Sequence, residues 1–225
     1  MSRFDPHLAI LPEAQRAIWP LFAPAKPLGL VLYGGTAVAL RLGHRNSVDF
    51  DFFTEKPLDF KQIERSFAFM QSAQIVQSQP DTLSVLAPTP AGNVQVSFFG
   101  SITNGRVGTP ELTKDGVLEV ASPLDLLATE LKVIQQRLEA KDYSDIAAIL
   151  RSGLRLEDGM AAAAELYTPS LQPSEAVKAL TYFEGGDLKN LSAVDKNLLS
   201  RAASKIYRIP AIALRSSSLS AIVLT

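Results

Sequence analysis

Tyr33-Gly34-Gly35-Thr36, followed by Arg45-Asn46-Ser47-Val48-Asp49-Phe50-Asp51-Phe52-Phe53, is the stretch on which the reading of this chain turns. Gly29 to Tyr33 is a short apolar run that reads as a buried strand, and Gly34-Gly35 ends it. Thr36 to Leu42 has a helical pattern stopped by Gly43. Two glycines between a strand and a helix let a phosphate approach the backbone, and the helix offers free N–H groups and the positive end of its dipole. Thr36 adds a hydroxyl at the helix start. Val48 to Phe53 reads as a second strand, with Val48, Phe50 and Phe52 on one face and Asp49, Asp51 and Phe53 on the other. Carboxylates at i and i+2 of a strand share a face, with Cα atoms ~6.5–7 Å apart. Such a pair suits Mg²⁺, which takes oxygen ligands and keeps waters for substrate phosphates.

Working outward, Pro12 to Leu21 reads as a short helix, broken after it by Pro24 and Pro27. Asp59 to Ser72 reads as a helix capped by Asp59, with Phe60, Ile63, Phe67 and Met70 on its apolar face. Thr82 to Ala87 and Asn93 to Phe99 flank the turn cluster Pro88 to Gly92 and read as a hairpin. Glu111 to Val120 has room for one more short strand. From Ser122-Pro123 the texture becomes helical: Leu124 to Arg137, Lys141 to Arg151, then further helices over 157–207. The expectation is an α+β fold, a mixed β-sheet with flanking helices over residues 1–120, then a helical region over 121–225.

Bulk properties narrow the function. The 225 residues are 47% hydrophobic and 20% charged, with a formal net charge of −1, so a whole-chain positive field for nucleic acid is excluded. Basic groups for RNA must be local, and Arg41, Arg45, Lys132 and Arg137 are the candidates for such a track. The absence of cysteine excludes thiolate chemistry and fits a cytoplasmic setting. Met1 to Pro12 does not read as a signal peptide, and no apolar run is long enough to span a membrane. The apolar tail, Leu219 to Thr225, reads as a docking segment or a last strand.

Gly34, Gly35, Thr36, Arg45, Ser47, Asp49, Asp51, Phe52 and Phe53 together resemble the signature of the nucleotidyltransferase superfamily. The closer resemblance is to its AbiEii/AbiGii-type toxin branch. That branch also has a helix lysine, matched by Lys132, and a basic-Asp-x-x-Asp helix start, matched by Lys141-Asp142-Tyr143-Ser144-Asp145. The resemblance covers roughly residues 28–150. It implies a nucleotidyltransferase-like fold. Asp49 and Asp51 would hold Mg²⁺ (or Mn²⁺); Gly34, Gly35, Thr36, Arg45 and Ser47 would contact the nucleotide; Lys132 would touch the triphosphate; Asp142 and Asp145 would support the site. It further implies transfer of NMP from an NTP to an RNA (tRNA) or protein acceptor, in a toxin with a cognate antitoxin.

One position departs from the superfamily. A third acid is usual on a neighbouring strand, and the strand over 94–99 offers Gln95 and Ser97 instead. Ser97 aligns with the missing carboxylate, and a serine hydroxyl is a poor Mg²⁺ ligand beside a carboxylate. Two other readings follow: a degenerate nucleotidyltransferase that binds nucleotide or partner without chemistry, and a transferase of small cationic molecules, like the aminoglycoside nucleotidyltransferases. Taken singly, Gly-Gly is ordinary turn chemistry, Lys132 is equally a solvated lysine, and Lys141, Asp142 and Asp145 are equally a helix start that complements its dipole.

Overall fold

The computed structural model of the chain describes residues 2–222. It divides into two compact units, Met1–Gly105 with Thr109–Ala121 and Ser216–Thr225, and Arg106–Gly108 with Ser122–Arg215.

The first unit is built on one mixed eight-stranded sheet. Its strands are β1 (Arg3–Phe4), β2 (Val31–Tyr33), β3 (Phe50–Phe53), β4 (Gln74–Gln79), β5 (Thr82–Thr89), β6 (Gly92–Phe99), β7 (Glu111–Thr113) and β8 (Glu119–Val120). Their spatial order is β1-β7-β8-β2-β3-β6-β5-β4. β3 runs antiparallel to β2 and parallel to β6, and β5–β6 is the expected hairpin. The helices of this unit are α1 (Glu13–Ile18), α2 (Gly34–Leu42) and α3 (Phe60–Ser66), with a 3-10 stretch over Trp19–Ala25 that runs through Pro24.

Aromatic burial fixes one face of the sheet. Phe50, Phe52, Phe98, Phe22 and Phe67 are fully buried, with Phe22 centred 4.5 Å from Phe50 and 5.2 Å from Phe52, and Phe67 centred 5.3 Å from Phe98. Burying each such side chain supplies roughly 1.5–3 kcal/mol, and through Phe22 and Phe67 it ties the Trp19–Ala25 stretch and the residue that ends α3 to the sheet.

Several boundaries differ from expectation for identifiable reasons. The helix expected over 59–72 is capped by Asp59, which accepts from the Gln62 N–H at 3.0 Å. It stops at Ser66, and Phe67 turns extended before a 3-10 turn at Ala68–Gln71. The break shifts the register, so Phe69 rather than Met70 is the buried residue. Glu111 to Val120 holds two strands, because the 113–118 turn is closed by Thr113 and Asp115. β4 was not expected: all six of its residues are exposed, and backbone pairing to β5 alone holds it in the sheet.

Of the tail read as a docking segment or strand, residues 223–225 lie outside the described residues. Leu219–Ile222 form no strand, and Leu219 is buried. Glu55 accepts from Ser218 Oγ at 2.7 Å and from the Leu219 N–H at 3.1 Å, while Glu119 accepts from Ser220 Oγ and the Ala221 N–H, both at 2.6 Å.

The second unit is helical: α4 (Pro123–Val133), α5 (Ala140–Arg151), α6 (Leu156–Tyr167), α7 (Pro173–Thr181) and α8 (Ala193–Ser204). Ser122 caps α4, accepting from the Asp125 N–H at 3.1 Å. Asp125 in turn accepts from the N–H groups of Val107 at 2.8 Å and Gly108 at 3.0 Å, which fastens the 106–108 strand of chain to α4. Gly159 of α6 lies so close to α4 that a Cβ there would fall 2.3 Å from Leu127, so glycine sets the spacing of this helix pair. Among the described residues no helix is long and apolar enough to cross a membrane.

Candidate functional site

β2 is buried over all three residues and passes directly into α2 at Gly34. Gly34 has φ +71°, a left-handed conformation that an L side chain adopts only with strain. A Cβ at Gly34 would also sit 2.9 Å from Asp51 Oδ2. Glycine is therefore what allows the Asp51 carboxylate to lie against the strand–helix turn. The antiparallel ladder brings it there by pairing Tyr33 with Asp51. Tyr33, the residue before α2, makes no side-chain hydrogen bond to the helix start, and Gly34 and Gly35 are half-exposed. The start of α2 thus lies at a partly accessible surface, and helix N-termini are where anions bind.

Asp49 reaches the same region by a different route from the one expected. The strand begins at Phe50, and Val48 is 50% exposed instead of sharing the core face with Phe50 and Phe52. The reason lies in the hydrogen bonds that hold residues 47–49 as a shaped segment. The Val48 carbonyl accepts from Gln15 Nε2 at 2.9 Å, and the Asp49 carbonyl accepts from the Thr36 hydroxyl. Thr36 Oγ1 also lies 2.7 Å from Ser47 Oγ. Thr36 is 2% exposed and Ser47 8%, so both hydroxyls are committed to this clamp while Asp49 itself stays half-exposed. Gln15, 5% exposed in α1, was not singled out from the sequence. The only signal in the sequence was its position beside Ala14 and three residues before Ile18, on the buried side of the short helix α1.

The parallel ladder between β3 and β6 pairs Asp51 with Ser97. Ser97 is 3% exposed, and its Oγ accepts from Ser84 Oγ at 3.0 Å. The position aligned with the superfamily's third acid is thus beside Asp51, filled by a hydroxyl bonded to the next strand. Among the described residues no group of three or more His, Asp or Glu side chains is placed to hold a metal ion. Asp51 beside the Gly34 turn and Asp49, whose backbone carbonyl is held by Thr36, are half-exposed hard oxygen donors of the kind that fit a Mg²⁺ retaining waters and substrate oxygens.

The remaining residues singled out from the sequence divide as follows. Arg45 donates to the Asn46 carbonyl at 3.0 Å, within the same loop. Arg41, expected in a basic track, is instead a buried structural cation. It donates to the carbonyls of Ala121 and Val120 at 2.9 and 3.0 Å, pairs with Glu111 at 2.6 Å and lies over the Phe4 ring. Lys132, Asp142 and Asp145 belong to the second unit. Lys132 Nζ donates to the Ser170 carbonyl. Asp142 is 2% exposed and accepts two hydrogen bonds from Arg137, at 2.8 and 2.9 Å. Those bonds, with the neighbouring carboxylates, push the Arg137 guanidinium above its ordinary value. Asp145 is fully buried, and Lys141 pairs with Glu139 at 2.8 Å. Neither Lys132 nor Arg137 is a free surface cation in this unit.

The chain is similar to known proteins in sequence and in fold. The family model for the nucleotidyl transferase AbiEii toxin of type IV toxin–antitoxin systems matches residues 20–205. An uncharacterized protein of Aquifex aeolicus (strain VF5), aq_aa25, is 33% identical over 156 residues, covering 68% of this chain and 73% of that protein. A crystal structure of an antigenic nucleotidyltransferase-like protein from Paracoccidioides brasiliensis superposes with a TM-score of 0.50 at 18% identity, covering 85% of this chain and 92% of that one. At that identity the likeness concerns the fold. MenT4, a nucleotidyltransferase toxin of Mycobacterium tuberculosis H37Rv, gives a TM-score of 0.43 at 16% identity, covering 84% of this chain and 90% of that one.

Proposed function

We propose that this chain, which belongs to the AbiEii nucleotidyl transferase toxin family, moves an NMP group from an NTP to an acceptor hydroxyl on RNA or protein. The observation that carries the reading is the placement of Asp51 Oδ2 against the Gly34 turn, which gathers a carboxylate and the start of α2 at one accessible surface. The α2 N-terminus and the half-exposed Gly34 and Gly35 would receive the phosphates. Arg45 would add charge to that seat. Asp49 and Asp51 would hold Mg²⁺ (or Mn²⁺), which when bound neutralises phosphate charge and polarises the phosphoryl group. The acceptor oxygen would form a bond to the α-phosphorus as the bond to the bridging oxygen breaks. Pyrophosphate would leave and the acceptor proton would pass to water. Positioning and charge stabilisation would supply most of the rate. Family membership supports a cognate antitoxin as partner and a cytoplasmic setting for both.

A second reading draws on Ser97. With a buried serine beside Asp51, the site would bind nucleotide with little turnover. Each NTP, radiolabelled at the α-phosphate, separates these readings when offered with total RNA, total protein or small cationic acceptors. Asp49→Asn and Asp51→Asn variants run in parallel. Transfer that disappears in both variants supports the enzyme and identifies the acceptor class, a small cation included. Nucleotide binding without transfer under Mg²⁺ or Mn²⁺ overturns it in favour of the binding reading.

A further inference from the structure

The charges of this chain are unevenly distributed. Of 22 Lys and Arg, five (Lys196, Arg201, Lys205, Arg208 and Arg215) fall after Asp195, where no Asp or Glu occurs. The preceding residues hold the other 17 cations and all 23 acids, a net of −6 against +5 for the last 30 residues. A neutral total therefore conceals a basic segment.

In the second unit that segment is on the surface. Arg201 and Lys205 are four residues apart at the end of α8, so they share one face of the helix, and both are exposed. Arg208 and Arg215 are exposed beyond it. Among the described residues none of these four has a carboxylate within ion-pair distance, in contrast to Arg151 and Arg155, which pair with Asp195 and Asp158. Arg208 lines a hollow of about 330 Å³ together with Arg155, Glu157, Pro210 and Ala211. Between the cations stands Tyr207, 93% exposed. A cation at a helix C-terminus is accounted for by the helix dipole. That dipole explains neither the two arginines beyond the helix nor a tyrosine held almost wholly in water.

We infer that Arg201, Lys205, Tyr207 and Arg208 form a docking strip for single-stranded RNA, with the cations on phosphates and the Tyr207 ring stacking on a base. Unpaired cations interleaved with an open aromatic ring are the combination by which single strands are held without sequence preference. An acidic protein would use the cations and leave the ring without a stacking partner. The strip takes the place of the basic track expected from Arg41, Arg45, Lys132 and Arg137, of which Arg41, Lys132 and Arg137 have side chains engaged elsewhere. As an acceptor platform it rests on the transferase reading; as a binding surface it does not.

The test is binding of a fluorescent single-stranded RNA to the full chain, followed by anisotropy without NTP. Controls are a poly-glutamate of matched charge and circular dichroism of each variant. All four residues are exposed, so each variant is expected to fold as the parent does. The triple variant Arg201→Gln/Lys205→Gln/Arg208→Gln is expected to bind RNA ~10-fold or more weakly, with the salt slope shallower by about 2, given ~0.7 per phosphate contact on single strands. Tyr207→Ala is expected to lose ~5-fold or more, with Tyr207→Phe near the parent, and neither changing poly-glutamate binding. Unchanged RNA binding in the triple variant overturns the inference. So does equal binding of poly-glutamate and RNA with no effect of Tyr207→Ala, which identifies a surface for an acidic protein. RNA binding that follows these variants while transfer is absent removes the transferase reading and leaves the strip.

Discussion

Ser97 stands directly beside Asp51 in the parallel ladder, buried, with its hydroxyl bonded to Ser84. A carboxylate placed there would have two neighbours: Asp51 on one strand and a serine on the other. Ser97→Asp is therefore expected to lower stability by about 1–3 kcal/mol in chelator, because a buried acid beside an acid lacks a compensating charge. Mn²⁺ or Mg²⁺ is expected to return part of that loss. Thermal melts of parent and variant with and without metal measure this. A metal-dependent rise confined to Ser97→Asp supports Asp51 as a metal ligand. A variant equally destabilised in both conditions argues against it.

Gly34 provides the second test. Gly34→Ala would force an L residue to φ +71° and bring its Cβ to 2.9 Å from Asp51 Oδ2. The backbone term is roughly 1–2 kcal/mol, and the carboxylate must also move. The expected outcome is a modest fall in the urea midpoint and a large fall in NTP affinity by calorimetry. A variant that loses stability and keeps NTP affinity would separate Gly34 from nucleotide binding.

What the sequence made legible follows from which forces act locally. The Gly-Gly turn and the Phe50/Phe52 alternation were readable because glycine at a strand end and period-2 burial leave their mark within a few residues. The place of Ser97 on the strand next to Asp51 was readable for the same reason: alternation along Val94–Phe99 leaves few polar positions on that strand. The start of β3 was not readable, because Gln15 and Thr36, distant in sequence, take the carbonyls of Val48 and Asp49 out of the ladder. β4 carries no burial pattern, since backbone pairing alone defines it. Arg41 was read as part of a surface basic track. Its burial depends on two carbonyls and a carboxylate that lie about 70 or 80 residues away.

Thr36 gives a third test, of the clamp rather than of the site itself. Thr36→Val keeps the shape and removes the hydroxyl that meets Ser47 Oγ and the Asp49 carbonyl. Leaving those buried groups unmet is expected to cost about 1–3 kcal/mol. Hydrogen exchange is expected to rise over residues 46–49, and metal affinity to fall with it. Thr36→Ser retains the hydroxyl and is expected to restore exchange to the parent level. Equal behaviour of the Val and Ser variants would mean that packing of the methyl group, and not the hydrogen bonds, orders Asp49.

The last prediction concerns the pair that fixes the far end of α2. Arg41 is buried, with a side-chain exposure of 6%, and Glu111 pairs with it at 2.6 Å. Burial raises the Glu111 pKa, but hydrogen bonds from Arg41 and Ser2 and the Arg41 charge outweigh it, so the folded value lies below the ordinary 4.5. A depressed folded pKa contributes stability that is present above the unfolded value and is lost as pH falls through the folded one. Glu111→Gln leaves Arg41 buried without its counter-charge, an effect of roughly 3 kcal/mol for a closed pair and less here, where Glu111 is partly solvated. The gap in melting temperature between parent and Glu111→Gln is expected to be widest at neutral pH and to close as pH drops below about 4.5, where Glu111 protonates in the parent too. If the gap instead stays constant from neutral to acidic pH, the stabilisation comes from packing and not from the charge of Glu111. Because Arg41 also binds the carbonyls of Val120 and Ala121, weakening the pair is expected to loosen α2 against β8 while the Gly34 turn keeps its form. NTP affinity in Glu111→Gln should therefore fall less than in Gly34→Ala.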